Sequence, residues 1–438
     1  MKKKHWLVRL LKKVVLLLSG LILLVLFVSF APYLWNRLVA YPRFEKQVRE
    51  FKQLRQEVPA LTNLKTFEGH IHMHSFWSHD SEGQLSEIIP AAKNNNVDFI
   101  FLSDHPRGNE DVFPRGFKGL YEGVLIEPGS EKKGLNVWPL DTVMVNWAQE
   151  ADSVVKTIVN MGGLVIYSHT EEEHNWENPW YQGMEIYNFH TDVKDEKYAK
   201  IILNFLVNGS KYRHWAYREN FDEQVSILAR WDQLNKSRKI VGFAAIDTHE
   251  NQNFRARYLP DGRVEWMGPN ANVIDTMEVK FWNRWLFSDP DPGGWIFKWM
   301  VDTYETGFNY VANYVFADTL SAASLARHMK LGHVYVAFKD LGDGRGFMFH
   351  AQNTNGEVSG IMGDSISADN VKSLHARSPL PGEFRLVKDG KIIDVLPGAN
   401  YSYQWAGKPE RGAYRVEVHV QPGKDLLPWI YSNSVYIY

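Results

Sequence analysis

The chain has 438 residues, too many for one small core, and predicts one large domain with a smaller companion. Lys and Arg number 49 against 51 Asp and Glu, so no overall field points to nucleic acid as a partner. Cys is absent, which excludes a disulfide framework and a thiol nucleophile, and leaves His, Asp and Glu to bind any metal.

Lys2, Lys3, Lys4, Arg9, Lys12 and Lys13 precede an apolar run from Val14 to Trp35. About 20 apolar residues in a helix cross a bilayer core, and this run suffices. Residues 1–13 are therefore read as a basic cytoplasmic segment and 14–35 as an uncleaved, single-pass anchor in the cytoplasmic membrane. The remainder would lie outside, in a bacterial periplasm or at the cell surface. A signal peptide cleaved after Ser29-Phe30-Ala31 is the runner-up, disfavoured by Pro32 and by the length of the run. Arg37, Arg43, Lys46 and Arg49 soften the charge asymmetry. Phe44, Val48, Phe51, Leu54 and Val58 recur at helical spacing, which predicts a juxtamembrane helix within 36–65.

The segment Gly69-His70-Ile71-His72-Met73-His74-Ser75 places histidines at every second position. On a strand from Phe67 to His74 these imidazoles share one face. Crowded and buried they would repel when protonated, a conflict that a metal removes. The alternative is a run of exposed or separately satisfied histidines.

Leu85–Asn95 then predicts a helix and Phe99–Leu102 a buried strand, followed by a short strand at Val124–Ile126. A helix over Asn146–Met161 stops at Gly162-Gly163, and strands follow at Leu164–Tyr167 and Met184–Tyr187. Phe221–Asn235 reads as a helix before a strand at Ile240–Ile246. Apolar strands alternating with helices predict a parallel α/β sheet or barrel over residues 66–340. Between Asn251 and Thr319 the pattern blurs. The aromatics Phe281, Trp282, Trp285, Phe287, Trp295 and Trp299, broken by Asp289–Gly294, fit a lid, a substrate platform or a membrane-facing surface, with plain core the favoured reading. Leu320–Leu331 predicts a helix leading into a strand at His333–Phe338. From 341 to 438 short strands alternate with turn signals, Asn355-Gly356 and Asp389-Gly390 among them, and predict a small antiparallel β-sandwich.

Candidate ligands collect at the C-terminal ends of predicted strands: His72 and His74, Asp104 and His105, Glu131, His169, and Asp247 with His249. In a parallel barrel those ends form one rim. Gly69–Ser75, Ser78-His79-Asp80, Ser103-Asp104-His105, Pro128-Gly129-Ser130-Glu131 and Ile246-Asp247-Thr248-His249 together resemble, in order, the motifs of the PHP (polymerase and histidinol phosphatase) metallohydrolases. Trp429–Tyr436 resembles, more faintly, the C-terminal domain of bacterial carbaryl-hydrolase-type PHP proteins.

The resemblance implies an α/β fold, a distorted (β/α)7 TIM-like barrel, with two or three divalent metal ions (Zn, Mn or Fe). It implies that His72, His74, Glu131 and Asp247 hold a first ion. Glu131 would bridge to a second at His169, with His190 as an extra ligand, and Asp80, His105 and His249 would hold a third. Glu131, Asp247 and His249 would be the catalytic centre. His70 stands where the family often has an acidic residue and is read as a partner of the ligands. Either His79 or Asp80 could fill the third position of the first motif, and Asp80 is preferred. Metal-activated water needs no Ser or Cys nucleophile. Asp104 is a further supporting candidate, and Arg107, Arg255 and Arg257 are candidate clamps for a phosphate.

The expected function is metal-dependent hydrolysis of phosphate mono- or diesters, with a small-molecule substrate, the membrane as partner through the anchor, and no nucleic acid. The alternatives are a carbamate, ester or amide hydrolase with the same metals, and a non-catalytic envelope binding or scaffold protein.

Overall fold

A computed structural model describes residues 2–108, 111–141, 144–194, 196–251, 253–269, 272–287 and 295–438. The apolar run forms a helix longer than its predicted span, α1 (Lys2–Trp35), with Pro32 inside its last turns. Its 34 residues reach about 50 Å. Among the described residues this is the one helical stretch long and apolar enough to cross a membrane. A π turn at Asn36–Ala40 leads into α2 (Tyr41–Lys52). The helix predicted to continue to Val58 ends there, and Arg55 donates instead to the carbonyls of Asp343 and Arg345.

After β1 (Lys65–Ile71), a Gln84–Glu87 capping box opens α3 (Leu85–Asn94), which leads to β2 (Phe99–Phe101). Two antiparallel hairpins follow, β3 (Gly119–Tyr121) with β4 (Val124–Glu127) and β5 (Ser130–Lys132) with β6 (Leu135–Trp138). Next come α4 (Ala151–Asn160), β7 (Leu164–Tyr167) and β8 (Gly183–Asn188). The helices α5 (Phe189–Lys194), α6 (Tyr198–Asn208), α7 (Arg213–Arg218) and α8 (Val225–Asn235) separate β8 from β9 (Val241–Ala245).

The strands β7, β8, β9, β1, β2 and β4 pair in that order and in parallel. Their apolar side chains pack on both faces, as continuous Val/Ile/Phe runs dictate. The sheet is nevertheless mixed. β6 runs antiparallel to β7 because the left-handed pair Lys133-Gly134 (φ 56° and 70°) folds β5 straight back into β6. Ser130, the first residue of β5, bridges in parallel to Asp104, just past β2.

Where the sequence pattern blurs, four strands form their own antiparallel sheet: β10 (Asn253–Tyr258), β11 (Arg263–Met267), β12 (Val273–Glu278) and β13 (Trp295–Met300). Core burial does not hold for Phe281, Trp282 and Trp285, which are 88%, 58% and 78% exposed, whereas Phe287 and Trp299 pack against buried clusters. The break at Asp289–Gly294 lies outside the described residues. α9 (Tyr304–Tyr310) then leads to β14 (Ala312–Ala317), antiparallel to β1. α10 (Ala322–Leu331) is capped by Ser321 and stopped by left-handed Gly332, and β15 (Val334–Ala337) follows.

The last part holds β16 (Met348–Gln352), β17 (Val358–Ile361), β18 (Ser365–Ile366), β19 (Ser373–Lys388), β20 (Lys391–Trp405), β21 (Gly412–Val420), β22 (Leu427–Ser432) and β23 (Val435–Ile437). Asp389-Gly390 turns β19 into β20 with both residues at positive φ (50° and 80°), as the hairpin signal predicts. β22 also pairs with β15, so these strands share a sheet with the preceding part.

Candidate metal centre

β1 stops at Ile71, three residues short of His74, the predicted end of the strand. His72 takes φ 55°, and the pleat that would place His70, His72 and His74 on one face is broken. His169 after β7 and Asp247 after β9 are left-handed too (φ 48° and 49°). Three side chains at strand ends are thus re-aimed by backbone that ordinary residues avoid, although His and Asp tolerate it better than most. The turns are laced together: Asp247 N donates to His72 O at 2.7 Å and His74 N to Thr248 O at 3.1 Å.

These turns bring the donor atoms together. His72 Nε2 lies 2.9 Å from Glu131 Oε2 and 3.2 Å from Asp247 Oδ1. His74 Nε2 is 3.3 Å from each of the same two oxygens. His169 Nε2 is 3.1 Å from Glu131 Oε1 and 3.6 Å from Asp247 Oδ2. Asp80 Oδ2 lies 3.4 Å from His249 Nε2 and 3.5 Å from His105 Nε2. Three groups here have ligand atoms mutually within 4.8 Å: His72, His74, Glu131 and Asp247; His74, Asp80, His105 and His249; and His190, Asp247 and His249.

The other ring nitrogen of each histidine is held in turn. His105 Nδ1 lies 3.0 Å from Glu131 O, and His249 Nδ1 and His190 Nδ1 lie 2.9 Å and 3.1 Å from Asp247 O. A carbonyl only accepts, so these Nδ1 atoms carry the proton and Nε2 keeps its lone pair. His72 Nδ1 faces Glu185 Oε1, and His169 Nδ1 lies 3.4 Å from both Thr191 Oγ1 and Glu171 Oε1. This arrangement of supported imidazoles is the one metal-binding histidines use.

Glu185 is the supporting residue that sequence reasoning missed. Besides His72 it accepts from Asn136 Nδ2 (3.1 Å), Asn188 Nδ2 (3.0 Å) and His169 N (2.9 Å). The signal available was a lone carboxylate inside the apolar strand Gly183–Asn188, where an uncompensated charge is expensive. Asp302 was missed as well. Its Oδ2 accepts from His249 N and Glu250 N, both at 2.9 Å. Tyr304 Oη donates to His74 O at 2.6 Å.

Several expected roles move. His70 is buried against Phe308, neither ring nitrogen has a hydrogen-bond partner, and it touches none of the grouped side chains. Its expected partnership with the ligands fails because the strand ends after it. Asp104 accepts from Ser75 N (2.6 Å) and Ser75 Oγ (2.9 Å), so it braces the turn after His74. His79 is exposed at the edge while Asp80 faces the cluster. His190 groups with Asp247 and His249, not with His169 as expected. Arg107 is exposed, Arg255 pairs with Glu82, and Arg257 lies 2.8 Å from Glu265. Both β10 arginines thus have carboxylate partners, Glu82 just before α3 and Glu265 on β11, which weakens their reading as a phosphate clamp.

Burial alone would raise the carboxyls of Glu131 and Asp247, but the surrounding histidines, His72 foremost, hold both well below the usual range. Burial and the neighbouring His74 push His105 down to about 4. His74 Nε2 and Asp247 Oδ1 are buried with no hydrogen bond of acceptable geometry. Converging lone pairs, ionised carboxylates and two buried ligand atoms without a hydrogen bond are the surroundings a divalent cation requires. His72 and His74 form the closed floor, and Asp80, His105, His169 and His190, each about a quarter to a third exposed, form the open mouth.

No family model and no curated protein matches the chain. Among solved structures it is similar to a two-domain protein containing a predicted PHP-like metal-dependent phosphoesterase from Bacteroides vulgatus ATCC 8482. Identity is 13%, the match covers 87% of this chain and 99% of that one, and the TM-score is 0.33. A likeness of that degree fixes neither the fold nor the chemistry.

Proposed function

We propose that the protein is a metal-dependent hydrolase of the PHP type, acting on phosphate mono- or diesters at the outer side of the cytoplasmic membrane. On this reading the parallel strand run is a distorted (β/α)7 barrel, α1 is a single-pass anchor, and the strands after residue 341 form a sandwich-like companion. The observation that carries the proposal is the convergence of His72, His74, Glu131 and Asp247, with His74 Nε2 and Asp247 Oδ1 buried and making no hydrogen bond.

His72, His74, Glu131 and Asp247 would hold one ion. His74, Asp80, His105 and His249 would hold another, with His169 and His190 completing the mouth. An ion in such a site supplies an acidified water and a Lewis acid for a substrate oxygen. Glu131 and Asp247 stay ionised and carry the negative charge that balances the cations. Glu185 and the Asp247 carbonyl keep the imidazoles of His72, His190 and His249 in one tautomer and orientation, so the centre is organised before substrate arrives. Substrate would enter past His105, His169 and His190, since His72 and His74 are sealed from below.

A second reading keeps the metals and changes the bond to a carbamate, ester or amide. It is favoured by the carboxylate partners of Arg255 and Arg257, because a phosphoryl group would call for a cationic clamp. Metal analysis of the purified protein, followed by phosphatase and esterase panels on the metal-replete form, tests both. Bound divalent metal with phosphate release supports the first reading, and ester turnover alone supports the second. Absence of bound metal in wild type, with no loss on His74→Ala, would refute both.

A further inference from the structure

α6 lies against the exit of the apolar helix. Asn208 Nδ2 donates to Tyr33 O at 3.1 Å, and Arg37 Nη1 donates to Val207 O at 2.7 Å. The polarity of α6 is inverted relative to a water-facing helix. Its two asparagines, Asn204 and Asn208, are buried, where Asn208 Nδ2 donates to Asn204 Oδ1 at 2.8 Å and Asn204 Nδ2 to Tyr41 Oη at 3.0 Å, while Lys200 in its first turn is half-buried and paired with Glu196 at 2.7 Å. On the outer side Ile202 is 48% and Leu206 60% exposed, one helical turn apart, with Leu203 and Val207 half-buried beside them. The adjoining segment exposes Trp35 and Leu38. Lys197 and Lys211 flank the helix at its two ends, both exposed.

A water-facing helix turns its polar stripe outward, whereas one lying in a membrane interface turns its apolar stripe outward between basic flanks. We infer that α6 is a second lipid contact, seated in the headgroup–acyl boundary of the bilayer that α1 crosses. The occupant of this face is lipid because α6 is hydrogen-bonded directly to the end of the span, so the bilayer surface passes beside it. The inference rests on α1 spanning the membrane. It adds that the body is held at a defined tilt instead of swinging on a tether.

The chain has no cysteine, so single-cysteine labelling needs no background removal. Leu24→Cys, Ile202→Cys, Leu206→Cys and Ile392→Cys variants of the full chain, labelled with the fluorophore NBD, are reconstituted in phosphatidylcholine–phosphatidylglycerol vesicles. Labels at 24, 202 and 206 are expected to emit to the blue, to be quenched by doxyl lipid and to lose their quenching by aqueous iodide. The label at 392, on an exposed strand of β20, is expected to do the reverse. If 202 and 206 behave like 392 while 24 stays lipid-quenched, the anchor stands and the inference falls. If 24 is also open to iodide, both fall. Protection at 206 that rises with protein density and shows no doxyl quenching would assign the face to a second copy and overturn the lipid contact.

Discussion

Replacing Glu185 with Gln changes one atom of the support for the candidate metal centre and nothing on its surface, since Glu185 is buried. Four donors converge on the carboxylate: His72 Nδ1 and Asn136 Nδ2 at Oε1, and Asn188 Nδ2 and His169 N at Oε2. A glutamine must turn its NH2 towards one of these pairs. Facing His72, it makes Nδ1 an acceptor and moves the ring proton to Nε2, the atom that lies 2.9 Å from Glu131. Facing His169, it leaves His72 alone but sets a donor against the backbone that holds the left-handed turn at residue 169. Either way one ligand is lost or misdirected. Substitutions of this kind cost about 10- to 100-fold in metal affinity, roughly 1.4–2.8 kcal/mol. Chelator competition on Glu185→Gln and wild type, read by metal analysis with a thermal melt of each metal-free protein, isolates the effect. Unchanged metal affinity with an intact melt would refute the view that Glu185 sets the tautomer of His72.

In chelator, His72→Gly is expected to be more stable than His72→Ala by about 1–2 kcal/mol, because both lack the imidazole and only glycine accepts φ 55° without penalty; equal urea midpoints would remove the strain. Gly83→Ala places a Cβ against the hydroxyl of Tyr304, which holds His74 O, so about 1–3 kcal/mol of stability and most of the metal affinity should go together in melts and metal analysis. Away from the centre, burial raises the Glu417 carboxyl, but Arg415 and His419 overcome this and hold it down to about 2. Its contribution is present above the unfolded value near 4.5 and is lost as pH falls towards 2. Glu417→Gln should therefore flatten the acid limb of urea stability against pH and cost about 3 kcal/mol at neutral pH; parallel limbs would refute the ion-pair account.

Much of the architecture could be read because its residues obey one rule each. The apolar strands at 99–101, 164–167 and 241–245 and the helices ending at Asn160 and Leu331 follow from period and stop signals. The hairpins β5–β6 and β10–β11 escaped: β5 has only three residues, β6 is buried at every position, and β10 buries Asn253 and Arg255 among its apolar residues, so none of these strands shows a simple polar–apolar alternation. The aromatic run at 281–285 misled because large apolar residues usually mark core, and nothing local records that β10–β13 stand as a sheet of their own.

At the candidate metal centre, position along the chain was legible and orientation was not. The ends of β1, β2, β7 and β9 could be matched to His72, His105, His169 and Asp247 because apolar runs give way there to ligand residues. The three-histidine period, taken as the strongest sign, acts in a different way: His70 belongs to the pleat and stays in the core, while His72 departs from it. A strictly alternating strand would have carried all three rings to one face and left His72 unable to meet Asp247, whose own N–H bonds to His72 O. The left-handed turn that breaks the period therefore builds the site. It can persist only because neighbouring strand ends hold it, which a local pattern cannot express.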